Sequence, residues 1–315
     1  MAAVRKHFDD VEMVELTGAC GSFAASNRFQ DSMGLPLEAQ HEINKIKLSL
    51  RSDPVKLKAY IGQLIEDWPE AFPQPPAAPS RPAPPGGVSF MPAPAPIRSV
   101  LPLVDPATAT GETARFLEAA RQLYGGISNA TRMWAHIPYI AKAFPPYQMV
   151  MERAGAGGML PRTLTAMILL RTANLNAAAY SIAHRTVFGR NAGLSAAQLA
   201  ALAAADCAGS PLFTPAEHVA LRWSEEVVTN MAKRRGDLFD KMKKYFGDGE
   251  LVEITGLCAM ANHIDLTLNA LRVPLESAAE IEALNRDIGI DPKRIRTYLE
   301  TLHANWPGEY PPPPA

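Results

Sequence analysis

Two short stretches of this chain carry side chains suited to moving protons and holding a small acid. Tyr180, Ser181, His184 and Arg185 fall close together. On a helix Tyr180 and His184 would share one face, as would Ser181 and Arg185, because residues four apart are surface neighbours. His184 can act as general acid or base near neutral pH. Arg185 can grip a carboxylate through two parallel hydrogen bonds, with Ser181 beside it as a further substrate contact. Tyr180 supplies a hydroxyl next to the proton carrier. The second stretch is Asn262-His263-Ile264-Asp265, where His263 is a second proton carrier and Asp265 a partner that orients it or meets substrate. Each residue also has a plainer role open to it. A histidine is often a satisfied core or surface residue, an exposed arginine is common, and Tyr and Ser readily fill helix contacts.

Other chemistries find less support. The cysteines, Cys20, Cys207 and Cys258, are far apart and form no CxxC pair, which argues against a disulfide framework and for a reducing compartment. No HxxxH or HExxH pattern occurs, so a metal enzyme in which His136, His184 and His263 converge is the weakest reading, and neither metal nor cofactor is expected. His218 suits a structural or a functional part equally. Met133, Met149, Met151, Met159 and Met167 are expected to fill core or line a lipophilic pocket wall. A net charge of −1 favours neither nucleic acid nor an anionic membrane as partner. No apolar run is long enough to span a bilayer and the N-terminus has no signal-peptide core, so the expected location is cytoplasmic.

The elements that must position these groups are helical throughout. Apolar residues recur at helical spacing over 112–124, 130–142, 147–153, 162–174, 178–190, 196–203, 215–231 and 238–246, and no run of alternating residues argues for a sheet. The fold class is all-α.

The chain also repeats itself. Shifted by 238 positions, residues 8–77 align without a gap with 246–315, and 23 of the 70 pairs are identical. Asp10-x-Glu12-x-Val14-Glu15-x-Thr17-Gly18-x-Cys20 answers Asp248-x-Glu250-x-Val252-Glu253-x-Thr255-Gly256-x-Cys258, and Pro36-Leu37-Glu38 answers Pro274-Leu275-Glu276. Asp10 and Asp248 read as N-caps of a long helix, Pro36 and Pro274 as breaks that open the next one, and Asp53-Pro54 and Asp291-Pro292 as N-cap and first turn of a further helix. Tyr60, Leu64 and Trp68, with Tyr298, Leu302 and Trp306, lie four apart along one face of it. Between the copies, 72–106 holds twelve of the 28 prolines and reads as an extended strap. The division that follows is a C-terminal half copy at 1–71, a Pro-rich linker at 72–110 and a complete copy at 111–315. A half copy bares apolar surface, so 8–70 must pack on the complete copy or on another subunit. It has no counterpart of the 180–185 stretch, which places any active site in the complete copy and makes the half copy an architectural attachment. Where the half copy has Ala24-Ala25, the complete copy has Asn262-His263, which singles out His263.

The segment from Leu160-Pro-Arg-Thr-Leu-Thr-Ala-Met-Ile-Leu-Leu-Arg-Thr-Ala through Tyr180-Ser-Ile-Ala-His184-Arg185 to Ala192-Gly193-Leu194-Ser195 resembles the carboxymuconolactone decarboxylase family, which includes the AhpD-like alkylhydroperoxidases. Trp134-Ala-His136-Ile-Pro138 and Asp248-x-Glu250-Leu-Val-Glu253 fit it as well, so the likeness runs over about 112–276 and, in the half copy, 9–38. The resemblance implies an all-helical AhpD-like module and a homo-oligomer (dimer, trimer or hexamer). It does not imply peroxidase chemistry. Ala166 stands where those enzymes carry a glutamate, Ala178 and Ser181 where they carry two cysteines, and Arg185 where they carry a histidine, so the thiol relay is missing. The decarboxylases proper need no cysteine and no cofactor. The leading expectation is therefore a cofactor-independent lyase acting by decarboxylation, or related C–C cleavage and proton transfer, on a small aromatic-derived or unsaturated substrate. The alternative is a catalytically silent helical assembly or binding protein, which a closed interior beside 180–185 would favour.

Overall fold

The computed structural model describes residues 3–47, 53–72 and 99–310. Most of the Pro-rich segment, 73–98, lies outside the described residues. Three helices make the N-terminal part: α1 (Asp10–Met33), α2 (Gln40–Lys47) and α3 (Pro54–Glu66). The remainder runs α4 (Gly111–Tyr124), α5 (Asn129–Trp134), α6 (Pro138–Ala141), α7 (Phe144–Glu152), α8 (Arg162–Leu175), α9 (Ala179–Asn191), α10 (Ala196–Ala203) and α11 (Pro215–Val228). It closes with α12 (Gly236–Met242), α13 (Asp248–Leu271), α14 (Ala278–Leu284) and α15 (Pro292–Ala304). Among the described residues there is no strand, only an isolated bridge between Ala154 and Gly289. The all-α expectation holds.

Helix ends depart from the sequence reading where backbone geometry outweighs propensity. The caps sit one residue earlier than expected. Asp9 caps α1, exchanging hydrogen bonds with Glu12, while Gly247 precedes α13 and donates its N–H to Glu250. Gly34 and Arg272, both in the left-handed region at φ 61° and 52°, end α1 and α13. Pro36 and Pro274 therefore lie in the connections and open no helix; α14 begins instead at the Ser277 cap. Asn230, at φ 59°, likewise stops α11 short of 231. The helix expected over 130–142 is broken at 135–137, just before Pro138. Asp53 and Asp291 do cap α3 and α15, each with proline in the first turn.

α8 is buried on every side from Arg162 to Ala173. It packs against α9, α10, α11 and α13. Its two arginines reach acids, Arg171 the half-buried Glu225 at 2.6 Å and Arg162 the buried Glu253 at 3.5 Å. The N-terminal helices fold back on the same chain: α1 lies along α13 and α3 along α15. Close approach of α1 and α13 rests on Gly21, where a Cβ would fall 2.7 Å from Thr267 Oγ1. Under that cover α13 is buried over nearly its whole length. No described helix is long and apolar enough to cross a membrane.

Candidate acid–base site

Tyr180, Ser181, His184 and Arg185 project from the first two turns of α9 into a cavity of about 130 Å³ closed on its other sides by α4, α7 and α13. The interior beside 180–185 is thus open, and the condition that would favour a silent assembly protein is absent. Tyr180 and His184 stack with ring centroids 4.5 Å apart, as residues four apart on one helix face can. Both converge on a residue the sequence reading missed. The Tyr180 hydroxyl donates to Glu276 Oε1 at 2.7 Å, and His184 Nε2 lies 2.8 Å from Glu276 Oε2. The Asn285 amide nitrogen lies 2.9 Å from His184 Nδ1, so both ring nitrogens have a protein partner. Burial pushes the Glu276 carboxyl up, but hydrogen bonds and charge from His184, with Tyr180 and the Asn129 N–H, hold it below the usual range overall. Burial, then the neighbouring Glu276 charge, raises the Tyr180 phenol well above its ordinary value. The Tyr180 oxygen also accepts from the Ala130 N–H at 3.3 Å, so all three side chains are engaged within the protein. One signal for Glu276 stood in the sequence: it closes the repeated Pro274-Leu275-Glu276 phrase.

Arg185 and Asp265 pair with each other at 2.9 Å, both buried, and Arg185 also donates to the Leu169 carbonyl. Asp265 further accepts from Asn176. A carboxylate ligand would have to displace this pair. The cation with spare capacity in the same cavity is Arg153, at the C-terminal end of α7. Its guanidinium lies over the Phe188 ring at 4.8 Å, and its Nη1 is buried with no hydrogen-bond partner. Burial lowers the Arg153 pKa, opposed by the charges of Glu152 and Asp287.

His263 stands elsewhere. A larger cavity of about 540 Å³ lies between α1, α13 and the α5–α7 region and shares Tyr124, Ala130, Gln148, Ile264 and Leu268 with the smaller one. The His263 ring is sandwiched between Trp134 and Phe144, near-parallel to both, with centroids 5.9 and 5.6 Å away. Its Nδ1 lies 3.2 Å from the Ser22 hydroxyl. Asp265, expected to orient it, makes no contact with it; on a helix the two are two residues apart and point to different sides. Burial lowers the His263 pKa, and the Gly21 carbonyl, which can only accept, offsets part of that. At neutral pH the ring is an uncharged base. The walls are otherwise aromatic and aliphatic. Four of them come from α1: Glu15, Gly18, Ala19 and Ser22. The expectation that the site belongs wholly to 111–315 is corrected here, because the helix covering α13 necessarily walls the space beside it. Residues far apart in sequence, Ser22, Trp134 and Phe144, carried no local pattern by which to find them.

The histidines do not converge. His136 Nε2 lies 2.8 Å from the Pro102 carbonyl and His218 Nε2 lies 2.7 Å from that of Ser210. Among the described residues no three His, Cys, Asp or Glu side chains form a possible metal site. Cys258 is buried, its thiol pushed up to about 12, and Cys207 to about 11, so neither is a ready nucleophile.

No family model and no curated protein sequence matches the chain. Solved structures do. An uncharacterized peroxidase-related protein from Silicibacter sp. TM1040 superposes at TM-score 0.50 with 15% identity, over 62% of this chain and 98% of that one. The AhpD core of a peroxidase-related protein from Ralstonia eutropha JMP134 gives 0.48 and 17%, over 60% and 96%. A variant of the debrominase Bmp8 in complex with 2,3,4-tribromopyrrole gives 0.49 and 19%, over 59% and 100%. At such identities the likeness is one of architecture, and it agrees with the helix order built up above: this chain shares the all-helical fold of the Silicibacter protein.

Proposed function

We propose that the protein is a cofactor-independent lyase that moves a proton on a small aromatic-derived or unsaturated acid, with His263 as the group that carries the proton. The observation that supports this most is an uncharged imidazole, held through Nδ1, on the wall of an apolar cavity large enough for a small ring compound. For decarboxylation, the C–C pair of the carboxylate moves into the adjoining π system as carbon dioxide leaves, and His263, having drawn a proton from solvent, delivers it to the carbon where the pair settles, so the ring ends uncharged. For a double-bond shift, His263 takes a proton from a carbon next to the unsaturation, the C–H pair moves into the π system, and the proton is returned at its far end. Burial makes the imidazolium a stronger acid than usual, which suits delivery to carbon. Arg185 is engaged by Asp265 and Arg153 lines the smaller cavity, so neither cation lines the cavity beside His263.

The test is deuterium incorporation. Small unsaturated cyclic acids and lactones are incubated with the protein in D2O and followed by proton NMR. Exchange or cleavage with the wild type, lost in His263→Ala with an unchanged circular-dichroism spectrum, is expected. Equal rates for wild type and variant would refute the role given to His263.

A further inference from the structure

Around the smaller cavity most polar side chains are paired with one another. Tyr124 donates to Gln148 at 3.0 Å, and Gln148 in turn donates to Glu152 at 3.2 Å. Tyr180 and His184 close on Glu276, and Arg185 on Asp265. Arg153 is the charged exception. Its Nη2 reaches the Leu284 carbonyl only at 3.5 Å, and its buried Nη1 has no hydrogen-bond partner among the described residues. Arginine does not shed a proton to escape this, so the unpaired N–H is a standing cost.

The backbone holds that side chain in place. Arg153 follows the last turn of α7 in an extended conformation, its N–H on the Met149 carbonyl at 2.9 Å. Ala154 then donates to the Ile288 carbonyl at 3.0 Å and accepts from the Ile290 N–H at 2.8 Å. Gly155 permits this approach: it sits at φ 103°, and a Cβ there would fall 2.7 Å from the Ile290 carbonyl oxygen. With its guanidinium laid over Phe188, Arg153 is set to receive a partner rather than to seek one.

Charge decides which partner fits. Glu152 lines the same cavity, and the charges of Glu152 and Asp287 both act on Arg153, opposed by that of Arg294. Neither carboxylate pairs with Nη1. A further anion would meet repulsion from both, whereas an uncharged oxygen supplies the missing acceptor without adding charge. The space of about 130 Å³ is well above the ~10–15 Å³ that one water needs. Leu169, Phe188, Leu268 and Leu284 give it apolar walls for the body of a ligand.

We propose that the smaller cavity is a binding site of its own for a small uncharged carbonyl compound, whose oxygen accepts from Arg153 Nη1. In the full chain labelled with 15N-arginine, the guanidinium proton–nitrogen spectrum reports Arg153 directly, its signal assigned by loss in Arg153→Lys. Titration with cyclopentanone is expected to shift that signal to saturation. Acetate at matched ionic strength is expected to shift it far less. By saturation-transfer NMR, cyclopentanone affinity should fall about tenfold or more in Arg153→Met, the scale of one hydrogen bond to a charged group. That variant keeps an unbranched apolar side chain over Phe188, and an unchanged circular-dichroism spectrum checks its fold. An Arg153 signal indifferent to cyclopentanone overturns the proposal, as the cavity then holds only water. A signal that follows acetate at lower concentration, or full affinity in folded Arg153→Met, overturns it as well. None of these readouts uses turnover, so the proposal stands or falls apart from the role given to His263.

Discussion

At the scale of single residues, burial and pairing separate the groups that can meet a ligand from those already engaged. Arg185 and Asp265 form a buried pair, so Arg185→Leu leaves a carboxylate without compensation. We expect a loss of about 3–5 kcal/mol in urea unfolding, largely recovered in Arg185→Leu/Asp265→Leu. Recovery of stability without loss of ligand binding would mark the pair as structural. His263 makes a prediction about pH. Its folded pKa is lowered below the unfolded value of ~6.5, so the unfolded chain binds the extra proton first as pH falls. Its contribution to stability is complete above ~6.5 and lost as pH drops from there toward the folded pKa. The melting temperature of wild type should therefore fall more steeply below that point than that of His263→Phe. Parallel curves would show that the buried ring is not the titrating group.

At the scale of elements, the cavity is held open by close helix approach. A Cβ on Gly18 would fall 2.9 Å from two atoms of the Trp134 ring, the ring that stacks on His263. Gly18→Ala should push Trp134 into the cavity, costing about 1–3 kcal/mol as overpacking and altering tryptophan fluorescence. Exchange activity should drop with it, and retention of both signals would show that Trp134 has room to yield. Helix positions were largely legible from periodicity, since α8, α10 and α15 follow apolar spacing that local residues set. Helix ends were less so. Gly34, Asn230 and Arg272 stop their helices by entering the left-handed region, a choice that depends on the packing of the turn as much as on residue type.

At the scale of the whole molecule, the N-terminal copy covers one side of the rest and leaves its own other side open. Phe23 is 71% exposed, whereas its repeat equivalent Ala261 is fully buried, and Tyr60 is 61% exposed against 3% for Tyr298. Among the described residues, the face that α8, α11 and α4 cover in the complete copy has no such cover in the half copy. Deleting residues 1–72 should strip α13 and α15 of their lids and yield a self-associating or aggregating protein by light scattering. A monodisperse truncation with the parent melting temperature would contradict this. The removal should also abolish the cavity beside His263, since one wall and the Ser22 contact leave together.

The sequence by itself determined the all-α class, the register of the repeat, the absence of a thiol relay and the two stretches bearing Tyr180, His184 and His263. Those properties follow from local spacing and residue type, which act over a few turns of helix. What only the tertiary structure decided is who meets whom. Arg185 turns to Asp265 and away from a ligand, Glu276 closes on Tyr180 and His184 from 92 residues beyond His184, and Ser22 reaches His263 across 241 positions. Such pairings depend on which helix faces lie together, and a helix face becomes a site only when packing sets another element against it. The half copy shows the difference most clearly: legible in sequence as an attachment, it became a wall of the site once α1 was laid along α13.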